Sequence, residues 1–113
     1  MALLTTQTIL RSGITPTYGA VAASDTFTPG NGVFLHVKNA GASPDTVAVQ
    51  VLQGDPSATL VIADLSISVT NGQERMIGPL PANFFADPVT GLGTVTHSFT
   101  TSVTVAVLNL QQP

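Results

Sequence analysis

Formal charge is scarce in this chain. Three cations (Arg11, Lys38, Arg75) and six anions (Asp25, Asp45, Asp55, Asp64, Glu74, Asp87) make up 8% of 113 residues. An ordinary soluble domain has about a quarter of its residues charged. Three scattered cations on a chain of net charge −3 cannot form the clustered patch that neutralises phosphates, so nucleic acid is not an expected partner. Cysteine is absent, which removes disulfides and thiolate metal ligands. Tryptophan is absent too, and Tyr18 is the single tyrosine, so the stacking platforms common in sugar-processing sites are missing. The apolar runs stop far short of the ~20 residues that span a bilayer, and no membrane is expected as a partner. The opening Met1–Leu10 has no basic region and is interrupted by Thr5-Thr-Gln-Thr8, unlike a secretory leader. A soluble product of the cytoplasm is the expectation.

Hydrophobic residues are plentiful, at 43%. They suffice for one domain with one core at this length, without metal or covalent support. An apolar chain with so few charges has a surface of Thr, Ser, Asn, Gln and exposed apolar groups. Such a surface is best tolerated when copies of the chain or a partner cover it.

The apolar residues recur with period two, the mark of half-buried strands. Val47, Val49 and Val51 share one face; so do Leu65, Ile67 and Val69, with Ser66, Ser68 and Thr70 opposite. Val95, His97 and Phe99 form another row. Val103, Val105 and Val107 alternate with Thr104, Ala106 and Leu108. Valine and threonine suit a pleated surface, and no ten-residue stretch carries a helical stripe. Turn chemistry falls at Thr28-Pro-Gly-Asn-Gly32, Asn39–Asp45, Gly54-Asp-Pro-Ser57 and Asn71-Gly72, where Gly and Asn tolerate positive φ. Thr100-Thr-Ser102 is expected to close a hairpin between the last two strands. Seven or eight short strands with regular turns predict an all-β fold: a single small β-sandwich, jelly-roll or Greek-key-like, with an extended N-terminal arm. The arm is residues 1–13 and the sandwich 14–113. Leu3, Leu4, Ile9 and Leu10 make the arm a candidate contact with a neighbouring subunit; a simple edge strand is the plainer alternative. Residues 77–93 hold three prolines and Phe84-Phe85, and predict an ordered crossing rather than a central strand. The charges are expected toward turns, leaving strand faces to meet partners.

Catalytic chemistry is not expected. His36 falls opposite Val33, Leu35 and Val37, which predicts a solvent-facing or interface position. His97 shares the face of Val95 and Phe99, as a hydrogen-bonded core or rim histidine does. No serine lies in a Gly-x-Ser-x-Gly elbow. Asp55, Asp64 and Asp87 sit in or near turns, where aspartate bonds its own backbone or caps a loop. Gly91-Leu-Gly93 has neither the third glycine nor the helix of a phosphate loop. No cofactor or metal is expected.

Three stretches carry a resemblance. The first is Leu4-Thr-Thr-Gln-Thr-Ile9 with Gly13-Ile-Thr-Pro-Thr-Tyr18. The second is Asp25-Thr-Phe27 with Gly32-Val-Phe-Leu-His-Val-Lys-Asn39. The third is Arg75-Met-Ile-Gly-Pro-Leu-Pro81, Asn83-Phe-Phe85 and the closing Val103-Thr-Val-Ala-Val-Leu108. Together they resemble the capsid decoration proteins of tailed bacteriophages, also called cement, head decoration or minor capsid proteins. Ile77-Gly-Pro-Leu-Pro81 is the most specific part, with Leu80 where the family has an aromatic; His97 also stands where an aromatic is expected. The resemblance implies a structural virion protein on the outer surface of a phage head, made in the host cytoplasm. It implies the major capsid protein as partner and self-association as a homotrimer. Leu3, Leu4, Ile9 and Leu10 of the arm, with Ile77, Gly78, Pro79, Leu80 and Pro81, are the implied capsid or subunit contacts. The alternative is another virion β-module: a head-fibre, tail or host-carbohydrate-binding piece.

Overall fold

The computed structural model describes residues 3–51 and 64–110. Among them the strands are β1 (Thr6–Ile9), β2 (Gly19–Ala20), β3 (Ser24–Phe27), β4 (Val33–Asn39), β5 (Asp45–Val49), β6 (Leu65–Val69), β7 (Glu74–Ile77), β8 (Gly93–His97) and β9 (Val103–Leu110). One helical turn, α1 (Ala82–Phe85), lies between β7 and β8. The expected turn at Gly54–Ser57, with Asp55, lies outside the described residues.

The strands from β2 onward pair as one long antiparallel ribbon folded at its middle: β2 with β9, β3 with β8, β4 with β7 and β5 with β6. The ribbon is then rolled, so that alternate pairs fall in opposite sheets. Sideways pairings of β4 with β9 and β5 with β8 complete the two sheets. One has the order β1-β9-β4-β7, with β2 also on β9; the other is β3-β8-β5-β6. This is a jelly roll, an all-β sandwich as the periodicity predicts.

The inward rows come from alternation. Leu35 and Val37 of β4 and Val103 and Val107 of β9 face Val47 and Val49 of β5, Val69 of β6 and Val95 of β8; all are at most 1% exposed. Each such side chain contributes about 1.5–3 kcal/mol of transfer free energy, and these mostly valine rows, with Phe27, Leu80 and Phe85, make the core that holds the two sheets together.

One expectation about connections needs correction. Thr100–Ser102 does not close a hairpin. β8 is already flanked by β3 and β5, and β9 by β4 on one edge and β1 with β2 on the other. With no free edge between them, the link crosses from sheet to sheet. It runs beside the β4–β5 crossing, where the Ala40 amide donates to the Ser102 carbonyl at 3.0 Å. Asn71-Gly72 does turn the chain, with Gly72 at φ +79°, but it too carries the chain from one sheet to the other. The charges also depart from expectation: Asp25, Lys38, Asp45, Glu74 and Arg75 all lie in strands.

The N-terminal segment is an edge strand of its own subunit. β1 runs parallel to β9, with Thr6 opposite Val107 and Ile9 opposite Leu110. The Leu4 amide donates to the Thr26 carbonyl of the other sheet at 2.7 Å. The 77–93 crossing is ordered, as its prolines predict. It is stitched to the start of β4, the Leu80 amide donating to Val33 at 2.9 Å and the Gly30 amide to Leu80 at 3.0 Å.

Candidate docking face

The outer side of the β1-β9-β4-β7 sheet carries the side chains with most potential for recognition. Because Val33, Leu35 and Val37 point inward, Phe34, His36 and Lys38 point out. The register sets Phe34 beside Leu108, His36 beside Ala106 and Met76, and Lys38 beside Glu74. The face thus has an apolar end and a polar end.

At the apolar end lies an open groove of about 420 Å³ lined by Asn31, Gly32, Phe34, Met76, Gly78, Pro79 and Leu110. Met76 is 68% exposed and Leu110 54%. Gly78 makes the groove possible, since a β-carbon there would lie 2.6 Å from Cβ of Phe34 and 3.2 Å from the Val33 carbonyl. Only a residue without a side chain lets the crossing chain lie this close to β4.

At the polar end, the Tyr18 hydroxyl lies 2.6 Å from Nδ1 of His36, and Nε2 of His36 lies 3.0 Å from a Glu74 carboxylate oxygen. The tyrosine donating to Nδ1 while the Nε2 hydrogen goes to Glu74 satisfies both ring nitrogens. The tyrosine ring meets the imidazole edge-on at 5.3 Å between centroids, and the Lys38 ammonium sits 4.0 Å over the tyrosine ring, a cation–π contact. His36 is on the predicted face but is not solvent-facing: it is buried, because Tyr18 closes over it. Period-two reasoning assigns a face and says nothing of what lies on it.

His97 behaves as the sequence suggests. It is buried in the core, with Nδ1 2.6 Å from Asp45. The other Asp45 oxygen accepts the Phe99 amide at 3.2 Å. Nε2 of His97 is buried without a hydrogen-bond partner. This Asp–His pair has the first two members of a hydrolytic triad, but it lacks a hydroxyl at Nε2 and an opening to solvent. Nearby, Asn39 donates to the carbonyls of Ser43 and Val69 at 2.8 and 3.0 Å and accepts the Gly41 amide at 2.9 Å. The cluster fastens the sheet-to-sheet crossings at this end. Among the described residues no group of three or more His, Asp or Glu could hold a metal ion, and no helix is long and apolar enough to cross a membrane. Asp87 accepts the Val89 amide at 2.7 Å, the local turn role expected of it. Asp64 accepts the Val51 amide at 3.0 Å across the base of the β5–β6 connection, the loop-capping role expected of it.

The candidate contact residues divide. Leu3 and Leu10 are exposed, at 60% and 52%. Leu4 is half-buried against the core, and Ile9 is half-buried on β1. Gly78 and Pro79 line the groove. Ile77 and Leu80 are core residues, 4% and 0% exposed, so they brace the crossing and offer no surface. Pro81 is half-buried at the start of α1. Phe34, Met76 and Leu110 were missing from the sequence reading. Phe34 and Met76 lie on the outward phase of their strands, which was the available signal. Comparison with known proteins gives no match: no family model, no curated protein and no solved structure.

Proposed function

We propose that the chain is a structural virion protein that binds the outer surface of a phage head and bridges neighbouring capsomers, acting as a homotrimer and without enzymatic activity. The observation that carries the reading is the open groove around Phe34, Met76, Pro79 and Leu110 on one sheet face. Apolar surface of this kind, on a chain with 8% charged residues, favours a partner surface over solvent. The motif resemblance supplies the partner class, the major capsid protein. Few ions need to be desolvated on docking, so little of the gain from apolar burial is lost. A trimer engages several capsomers at once, so each contact can be modest while the assembly holds through effective concentration.

The test is addition of purified chain to heads lacking it, read by co-sedimentation and by the temperature at which the heads rupture. The expected result is saturable binding, a raised rupture temperature and a trimer by analytical ultracentrifugation. A monomer that leaves heads unbound and binds glycans would overturn the reading in favour of a carbohydrate-binding virion module.

A further inference from the structure

Ala106 and Leu108 are buried, at 3% and 4% exposed, although they point away from the core. Alternation along β9 sends Val103, Val105 and Val107 inward, and neither Ala106 nor Leu108 belongs to the core cluster. They form a second apolar layer on the outer side of the sheet. The chain between β1 and β2, residues 10–18, is tied to this face at its end, where Tyr18 lies against His36, the register partner of Ala106.

Its ties are polar. The Gln7 side chain donates to the Thr17 carbonyl at 2.8 Å and accepts the Thr17 amide at 2.9 Å. Tyr18 is held by His36 at 2.6 Å and capped by Lys38. An open pocket of about 360 Å³ lies at the foot of the segment, where Thr17 and Gly19 meet the N-terminal strand beside Ala106. Arg11, Ser12, Gly13, Thr15 and Thr17 are exposed. Ile14 and Pro16 alternate with them and are half-buried, while the Gln7–Thr17 hydrogen bonds are exposed to solvent, a condition for local opening at low free-energy cost.

We propose that residues 10–18 are a strap that opens and closes over the sheet, held shut by the Tyr18–His36–Glu74 chain of hydrogen bonds. Opening joins Ala106 and Leu108 to Phe34, Met76 and Leu110 as one continuous apolar surface. Phe34 and Leu108 are register partners, so the groove and the covered layer already touch. The strap is a property of the isolated chain and stands or falls independently of what the face binds.

The chain has no cysteine, so a single introduced thiol reports opening directly. Ala106→Cys, or Leu108→Cys should the first not fold, is labelled with a maleimide across a urea series below the unfolding transition. Val47→Cys, fully buried on the inward row of the other sheet, serves as the global control. The expected result is labelling at Ala106→Cys that is independent of urea and faster than at Val47→Cys, whose rate rises steeply with urea. Adding Tyr18→Phe, which keeps the ring and removes the hydroxyl, raises the outer-face rate about fivefold, as loss of one hydrogen bond predicts. Identical urea dependence at the two thiols, or an outer-face rate unmoved by Tyr18→Phe, overturns the proposal.

Discussion

The two histidines occupy comparable places and do opposite work. Each lies in a strand flanked by neighbours on both sides, each is 6% exposed, and each holds an oxygen at 2.6 Å from Nδ1. His97 points inward, where Asp45 is sealed in with it and Nε2 has no partner. His36 points outward, where Tyr18 and a 58% exposed Glu74 side chain satisfy both nitrogens. Burial is equal while its cause differs. One histidine is covered by the opposing sheet, the other by a short loop of its own chain. The inner site is therefore a folding element, and the outer site belongs to a surface that can be rearranged.

Substitutions separate the two regions. Asp45→Ala strips partners from His97 and from the Phe99 amide. It is expected to lose about 3–5 kcal/mol in urea unfolding, as removal of one member of a buried pair does. A loss below about 1 kcal/mol would place the inner pair among ordinary surface contacts and erase the contrast. Met76→Asp, at an exposed groove position, should leave the unfolding midpoint nearly unchanged and weaken the proposed head binding by about tenfold or more, equivalent to about 1.4 kcal/mol. Equal binding by this variant would detach the groove from the docking role. Tyr18→Phe is expected to cost about 1 kcal/mol in stability, the net worth of one hydrogen bond, measurable by thermal unfolding. Glu74→Gln should be smallest, about 0.2–1 kcal/mol for an exposed partner, and amide exchange along β7 and the strap is the sensitive readout.

Much of the sandwich was legible because its rows are so regular. Val47/Val49, Leu65/Ile67/Val69 and Val103/Val105/Val107 each announce a strand and its inner face, and Ser66, Ser68, Thr94 and Thr96 announce the outer one. Sheet membership was not legible. Thr100–Ser102 has the length of a hairpin loop, and only the occupied edges of β8 and β9 forbid it. The candidate docking face was half visible. Pro79 and Gly78 stand out by type, whereas Phe34 and Met76 become neighbours only through the β4–β7 register. The burial of His36 depends on Tyr18, eighteen residues away in sequence, a contact that no local pattern encodes. Asp25, Asp45 and His97 are polar residues on core rows, and periodicity alone cannot tell whether such a residue has a partner inside.

The rolled ribbon sets the order in which the molecule can be made. β9 is the shared neighbour of β1, β2 and β4, so Gly19 must wait for Val105 and Thr6 for Val107. On a ribosome, every earlier strand of that sheet emerges before the one that joins them. The nascent chain can pair β5 with β6 and β4 with β7 early, but β1 and β2 join the groove sheet only when β9 arrives. Pairings this distant in sequence fold slowly, and a chain stopped before residue 103 would leave β1 and β2 without their partner strand. The surface proposed to dock is thus completed only with the final strand.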